Sequence, residues 1–504
     1  MSAHRSVWLA TSEQPSFPAL DQDLDVDVAV VGAGITGLTA ALLLQRDGAS
    51  VALIEADRIG AGTTGGTTGK VTAQHSLTYA ALIDKHGEDK ARQYAEANQQ
   101  AIDTIERLAR EASADCQLER APAYVYTQAA PDREELEAEH AAAVRLGLPA
   151  TLTTDVDLPF PVELALRFDD QAHFHPTRYT AALARTLAAG GAHIFEHTRA
   201  TGVDEHLDHA MVRTPGGDVR AGHVVLATLL PFVDRGGFFA KASPSLAYGV
   251  AARLRSDAPA GMHINIGSPT RSTRPWIEGD RRGLIIVGES HPTGHGDAGP
   301  GRWGALERWA REHFDVESFE YRWSAQDYTT VDDVPYVGRS PRMSRTFVAT
   351  GFKKWGLTNG TAAAQVLTDL VAGRDNPWTQ VFDATRIGDA HTVKKLVEEN
   401  VHVGKRFVED RVARLRAGTV AHLRPGDGGM VKVDGDTVGA YRDATGAVHA
   451  VSITCTHMGC TLHWNGAETS WDCPCHGSRF ATDGKVLNGP AVEPLARIDV
   501  DPDT

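Results

Sequence analysis

Asp27-Val-Ala-Val-Val-Gly-Ala-Gly-Ile-Thr-Gly37 is the stretch from which the fold is read. Residues 27–31 are a short apolar run of strand type. Glycines follow at 32, 34 and 37, and residues 38–46 have helical composition. Gly48 ends that helix, residues 51–54 form a second apolar run, and Glu55 stands at its tip. The order is strand, glycine turn, helix, strand, acid: a βαβ unit carrying the G-x-G-x-x-G fingerprint in its proper context. Gly32 permits the tight turn, Gly34 lets backbone approach a pyrophosphate, and Gly37 lets helix and strand pack closely. The helix N-terminus offers free N–H groups to phosphate. Glu55 is placed to accept from a ribose. The pattern predicts dinucleotide binding and leaves FAD and NAD both open.

Outward from this unit, the Gly-Thr loop at 60–69 (GAGTTGGTTG) is suited to wrapping a cofactor through Thr63, Thr64, Gly66 and Thr67. Residues 90–113 have a helical apolar face of Tyr94, Ile102, Ile105 and Leu108. From about 120 to 345 short strands alternate with charged turns, and a helix follows His175-Pro-Thr-Arg-Tyr179. Residues 224–228 read as another buried strand. Pro335-Tyr-Val-Gly338 reads as a turn, 347–352 as a strand entering a glycine turn, and 358–370 as an Ala-rich helix.

The Gly32 fingerprint, the His175 helix start, Pro335–Gly338 and Ala349-Thr-Gly-Phe-Lys-Lys-Trp-Gly-Leu-Thr-Asn-Gly360 together resemble the D-amino-acid oxidase superfamily. That group includes glycine oxidase, sarcosine oxidase and putrescine-type amine oxidoreductases. The resemblance spans roughly residues 25–380 and implies FAD as cofactor. It also implies that Gly351, Phe352, Trp355, Gly356, Leu357 and Thr358 meet the flavin, that Val203 gives a backbone contact to adenine, and that Ala227 and Thr228 shield the cofactor. Thr358 stands where sarcosine oxidases carry a lysine that holds the substrate carboxylate, so the resemblance implies an amine or an amino acid as substrate. Lys353 and Lys354 lie next to this position. His75 lies near where some relatives attach FAD covalently, without matching their surrounding residues. Lys70, His75 and His291 are the acid–base candidates, each with a structural role as the alternative.

Of five cysteines, four crowd into residues 455–475 while Cys116 stands apart. Such clustering points to metal or redox chemistry. Cys455-Thr-His457 and Cys473-Pro-Cys475-His476 give two Cys-His pairs on separate loops. They match a Rieske 2Fe–2S cluster with ligands Cys455, His457, Cys473 and His476. Two cysteines and two histidines also suit tetrahedral zinc, a reading that leaves Cys460 and Cys475 unexplained. In the respiratory Rieske proteins cysteines at these two places form a disulfide, and Gly489-Pro-Ala-Val-Glu-Pro-Leu495 resembles the loop that covers the cluster. The resemblance implies a hydrogen bond from Ser478 to cluster sulfur. It also implies a lowered potential from Phe480, which replaces a tyrosine.

Domain boundaries are expected at a leader (1–24), a discontinuous flavin domain with an inserted substrate subdomain (25–385), an amphipathic helical connector (386–415) and a small antiparallel β domain (416–504). The fold class is thus an α/β Rossmann-like FAD domain with an inserted mixed-sheet substrate domain, plus an all-β Rieske domain. A net charge of −15 argues against nucleic acid and anionic membranes as partners. No apolar run reaches the roughly 20 residues of a membrane span, and the N-terminus resembles no signal peptide, so a cytoplasmic protein is expected.

A two-electron flavin joined to a one-electron cluster predicts an amine or amino-acid dehydrogenase. Its cluster would pass electrons to an acceptor: a protein, a quinone or O₂. The alternatives are a flavin oxidase that uses O₂ directly and a non-catalytic electron-transfer or redox-sensing protein. A Rieske oxygenase would need two histidines and a carboxylate on one iron. The pairs His173/His175, His206/His209 and His291/His295 lack that context, and oxygenase clusters lack the Cys460/Cys475 pair.

Overall fold

The computed structural model describes residues 5–279, 281–295, 299–386 and 418–501. The connector expected at 386–415, apart from residue 386, and the start of the last domain lie outside the described residues.

Leu24–Val31 is the hub of an eight-stranded sheet. It pairs in parallel with Val51–Ile54 on one side and Val219–Leu226 on the other. Beyond these lie His193–Phe195 at one edge, and Thr346–Thr350 followed by Tyr336–Arg339 at the other. Parallel strands covered on both faces must be apolar throughout, and both Val51–Ile54 and Thr346–Thr350 are buried along their whole length. The helix Ile35–Arg46 starts at Gly34 and crosses between the first two strands. A Cβ on Gly37 would lie 1.8 Å from the Gly32 carbonyl oxygen, so only glycine lets the helix pass this close.

The inserted subdomain is a nine-stranded mixed sheet. It runs from Val316–Thr330 through Ala242–Leu254, Arg281–Pro292, Arg271–Glu278, Met262–Asn265, Glu119–Thr127 and Leu164–His173 to Lys70–Val71. The long helix Glu88–Glu111 buries Tyr94, Ile102, Ile105 and Leu108, the face that the periodicity predicts. Pro176–Ala189 is capped by His175, whose side chain accepts from the Arg178 amide. The Ala-rich helix is Gly356–Val371 and begins two residues earlier than expected.

The segment expected as a polar leader is packed instead. Val7 and Trp8 are buried, the Trp8 indole donates to the Thr67 carbonyl at 2.7 Å, and Leu20 joins the core of the first sheet.

The C-terminal domain has two four-stranded sheets. Gly428–Val433, Asp436–Arg442, Val448–Ser452 and Arg497–Ile498 form its base. His463–Asn465, Ser470–Asp472, Arg479–Ala481 and Val486–Asn488 carry the cysteine loops. It rests on the inserted sheet, where Ala467 belongs to the same core as Tyr124, Leu246 and Tyr248, and it also meets the eight-stranded sheet's side, where Arg199 donates to the Val486 carbonyl at 3.0 Å.

Candidate functional site

A cavity of about 440 Å³ opens at the C-terminal ends of the parallel strands, where open α/β sheets bind ligands. Gly32, Gly34 and Glu55 line it, as do Thr63, Thr64, Gly66 and Thr67. Glu55 is anchored by the Ala33 amide at 2.8 Å and the Asp57 amide at 2.9 Å, and burial raises its pKa. Thr64 Oγ1 accepts from the Ile35 amide at 3.1 Å, tying the Gly-Thr loop to the helix start. Ala227 and Thr228 form the opposite wall.

Phe352, Gly356 and Leu357 also face the cavity, so the start of the late helix points its N–H groups into it. Such a donor-rich terminus fits a group that gains negative charge. Gly37, Val203, Gly351, Trp355 and Thr358 stand outside the lining. The Val203 side chain packs in the core of the first sheet, and Arg199 and Ala200 line the cavity. Trp355 stacks on His75 at 4.9 Å, and Thr358 Oγ1 donates to the Thr72 carbonyl at 3.0 Å. Gly351 makes the turn: its φ is +80°, and a Cβ there would meet the Thr330 methyl at 2.2 Å.

Two non-glycine residues follow in left-handed conformation, Lys353 at φ 50° and Lys354 at φ 68°. Such strain persists only where its surroundings impose it. Here the Lys354 amide donates to the Asp327 carboxylate, which lines the cavity. The turn separates the two lysines. Lys353 pairs with Asp333 at 2.9 Å, while Lys354 lines the cavity and donates from Nζ to the Ser290 hydroxyl. Burial raises the Asp327 pKa to about 6.

Lys70, His75 and His291 all lie outside the lining. Lys70 Nζ donates to the His263 carbonyl and Ser272 hydroxyl, both at 2.7 Å. Both His75 nitrogens are engaged, Nδ1 with Tyr94 at 2.7 Å and Nε2 with the Thr72 carbonyl at 2.9 Å. Burial drops its pKa to about 3, so the ring stays neutral. His291 stacks on Tyr248 and is held by the Pro292 carbonyl at 2.9 Å.

The second site lies in the C-terminal domain. The Cys455–Gly459 turn and the Cys473–Gly477 turn are each closed by a backbone bond, of 2.9 and 3.1 Å. Cys460 and Cys475 are disulfide-bonded and join the two loops. Buried between them, the Cys455 and Cys473 thiols touch; their hydrogen bond lowers the pKa of the first and raises that of the second. Two sulfurs this close cannot both ionise without a cation. The His457 and His476 rings stand 5.1 Å apart and nearly perpendicular, and each Nδ1 is buried with no hydrogen-bond partner. Burial lowers both imidazole pKa values, that of His476 to about 4, so the rings stay neutral as metal ligation requires. Paired thiols beside two orphaned imidazole nitrogens fit a 2Fe–2S cluster of Rieske type. Ser478 hydrogen-bonds the Cys455 sulfur and accepts from the Ala491 amide at 3.0 Å. Among the described residues no group of two histidines and a carboxylate comes together.

The two sites share a wall. Arg479, Leu487, Asn488, Gly489, Ala491 and Val492 of the C-terminal domain line the same cavity as Gly32 and Glu55. No motif announces this, because the contact joins residues more than 400 positions apart. No helix among the described residues is long and apolar enough to cross a membrane.

Comparison with known proteins matches residues 27–370 to the family "FAD dependent oxidoreductase" and residues 414–499 to "Rieske [2Fe-2S] domain". The chain is 37% identical over 501 residues to a Bacillus subtilis protein described as putative Rieske 2Fe-2S iron-sulfur protein YhfW, covering 99% of this chain and 98% of that one. Among solved structures, glycine oxidase from Geobacillus kaustophilus superposes with a TM-score of 0.62 at 21% identity, covering 72% of this chain and 99% of that one. L-proline dehydrogenase from P. horikoshii superposes with a TM-score of 0.60 at 18% identity, covering 72% and 98%.

Proposed function

The chain belongs to the FAD dependent oxidoreductase family, and from that premise we propose that it is an amino-acid dehydrogenase whose electrons leave through its own Rieske domain. The observation that carries this reading is the shared cavity: the C-terminal domain supplies part of the wall of the dinucleotide site. The four proposed ligands stand outside the lining, but the domain that carries them closes the cavity, which favours the cluster as the flavin's electron exit.

FAD held by the Gly32 turn and the Gly-Thr loop would supply a hydride acceptor for the carbon bearing the amine, and a cluster held by the C-terminal loops would supply one-electron transfer. The chain's residues do the rest. Lys354 offers an ammonium to the substrate carboxylate, and Ser290 accepts from Lys354 and fixes its direction. In this reading Lys354 takes the part of the cation that position 358 lacks, which favours an amino acid over a simple amine. Gly356 and Leu357 present the helix N-terminus to the charge that develops on the ring. The substrate loses a hydride from carbon and a proton from nitrogen. The resulting imine takes up water and releases ammonia or an amine. Cys455, His457, Cys473 and His476 are the proposed cluster ligands, and an external protein, quinone or O₂ is the final acceptor.

The test is anaerobic mixing with matched pairs of α-amino acids and their decarboxylated amines, followed by flavin absorbance. Bleaching by an amino acid but not by its amine supports the reading. Bleaching by amines alone contradicts the role given to Lys354.

A further inference from the structure

Gly477 lies between the proposed cluster ligand His476 and Ser478, and it is pressed against the flavin domain. Its φ is +74°, and a Cβ there would meet Pro244 Cβ and the Tyr328 hydroxyl at 2.6 Å, and Gln326 Nε2 at 2.8 Å. Both polar neighbours belong to the strand Val316–Thr330 and sit two residues apart, on one face. The Tyr328 hydroxyl donates to the His476 carbonyl at 2.8 Å, and Gln326 Nε2 donates to the Gly477 carbonyl at 2.8 Å. Gln326 also donates to the Tyr328 oxygen at 3.2 Å, while its Oε1 accepts from the Thr293 hydroxyl at 3.0 Å. Tyr328, Gln326, Thr293 and His476 are all buried.

Three further contacts reach the two cluster loops. His295 Nε2 meets the Pro474 carbonyl at 3.0 Å, and Phe239 packs edge-on against His476 at 5.0 Å and His457 at 6.1 Å. Gln326 in addition lines the dinucleotide cavity. One side chain therefore touches both the flavin site and the cluster loop.

We propose that Tyr328 and Gln326 are positioning residues for the cluster: a clasp in the flavin domain that fixes the 473–478 loop against the cavity wall and sets the cluster's electrostatic surroundings from outside its own domain. The Rieske domain then works docked rather than swinging. Phe480 fills its own domain's core without a hydroxyl, so the phenol beside the cluster loop comes from the partner domain. The inference needs only the Rieske cluster and not the amino-acid reading, and its test uses no substrate.

The experiment compares full-length holoprotein with Tyr328→Phe and Gln326→Met, which keep side-chain size and remove the donors. Hydrogen–deuterium exchange is followed over residues 473–478 and over 428–433 in the base sheet. The cluster midpoint is read by protein-film voltammetry. The expected result is at least tenfold faster exchange in 473–478 with 428–433 unchanged. The midpoint should fall in both variants, since each loses a donor that favours the more negative, reduced cluster. An unchanged midpoint in both variants overturns the proposal even if exchange quickens, because a merely structural bond would move exchange alone. Parent-like exchange overturns it as well.

Discussion

The hydroxyl of Tyr328 donates to the carbonyl of His476 at 2.8 Å, joining the longest strand of the inserted sheet to a loop 148 residues further along the chain. Through that contact the cluster loop becomes part of the surroundings of the flavin domain, and several outcomes can be checked.

Removing a cluster donor should empty one site and spare the other. Cys473→Ser or His457→Ala is expected to abolish the low-temperature EPR signal of the reduced cluster and to bring bound iron close to zero. FAD content should stay near that of the parent, because the glycine turn and Gly-Thr loop are untouched. Iron and flavin assays on the same sample check this.

Lys354→Met should weaken amino-acid binding and leave simple amines unaffected. A lost charge-assisted hydrogen bond costs about 1.5–3 kcal/mol, so KM is expected to rise about 10- to 100-fold. Steady-state kinetics with an amino acid and its decarboxylated amine separate the two effects.

Asp327 makes stability pH-dependent. Burial lifts its folded-state pKa to about 6, above its ordinary value of 3.8. The folded state therefore holds the proton more tightly than the unfolded state. Its contribution is greatest below about pH 4, falls as pH rises towards 6, and is lost above. Across that interval stability changes by up to about 3 kcal/mol. Asp327→Asn should remove that slope and gain on the parent above pH 6, as denaturation midpoints at pH 5 and pH 8 would reveal.

Ser478→Ala removes the hydroxyl that bonds the Cys455 sulfur. The cluster midpoint is expected to fall, and Phe480→Tyr is expected to raise it, by protein-film voltammetry. A Ser478→Ala midpoint equal to that of the parent would falsify the hydrogen bond's role.

What could be read from the sequence was local. The glycines at 32, 34 and 37 and the Cys-His pairs at 455–457 and 473–476 sit within a few positions of one another, so spacing points to a dinucleotide and to a metal centre, and resemblance to known families narrows these to FAD and a Rieske cluster. The helix face of Tyr94, Ile102, Ile105 and Leu108 was legible for the same reason. What escaped depended on distant packing. Lys354 enters the cavity only because two successive left-handed residues turn the chain and Asp327 holds its amide. Its neighbour Lys353, with the same chemistry, goes to Asp333 instead. Arg199 and Ala200 line the cavity, while the side chain of Val203 packs into the core of the first sheet. Nor could Trp8 have been placed, since a short polar-flanked segment gives no periodicity to read.

The most direct measurement of the central claim mixes the anaerobic holoprotein with a reducing amino acid and freezes samples at rising times for EPR. The account predicts that the flavin bleaches and that the reduced Rieske signal then grows in, within the turnover time and without an added mediator. A flavin that bleaches fully while the cluster stays oxidised would contradict it.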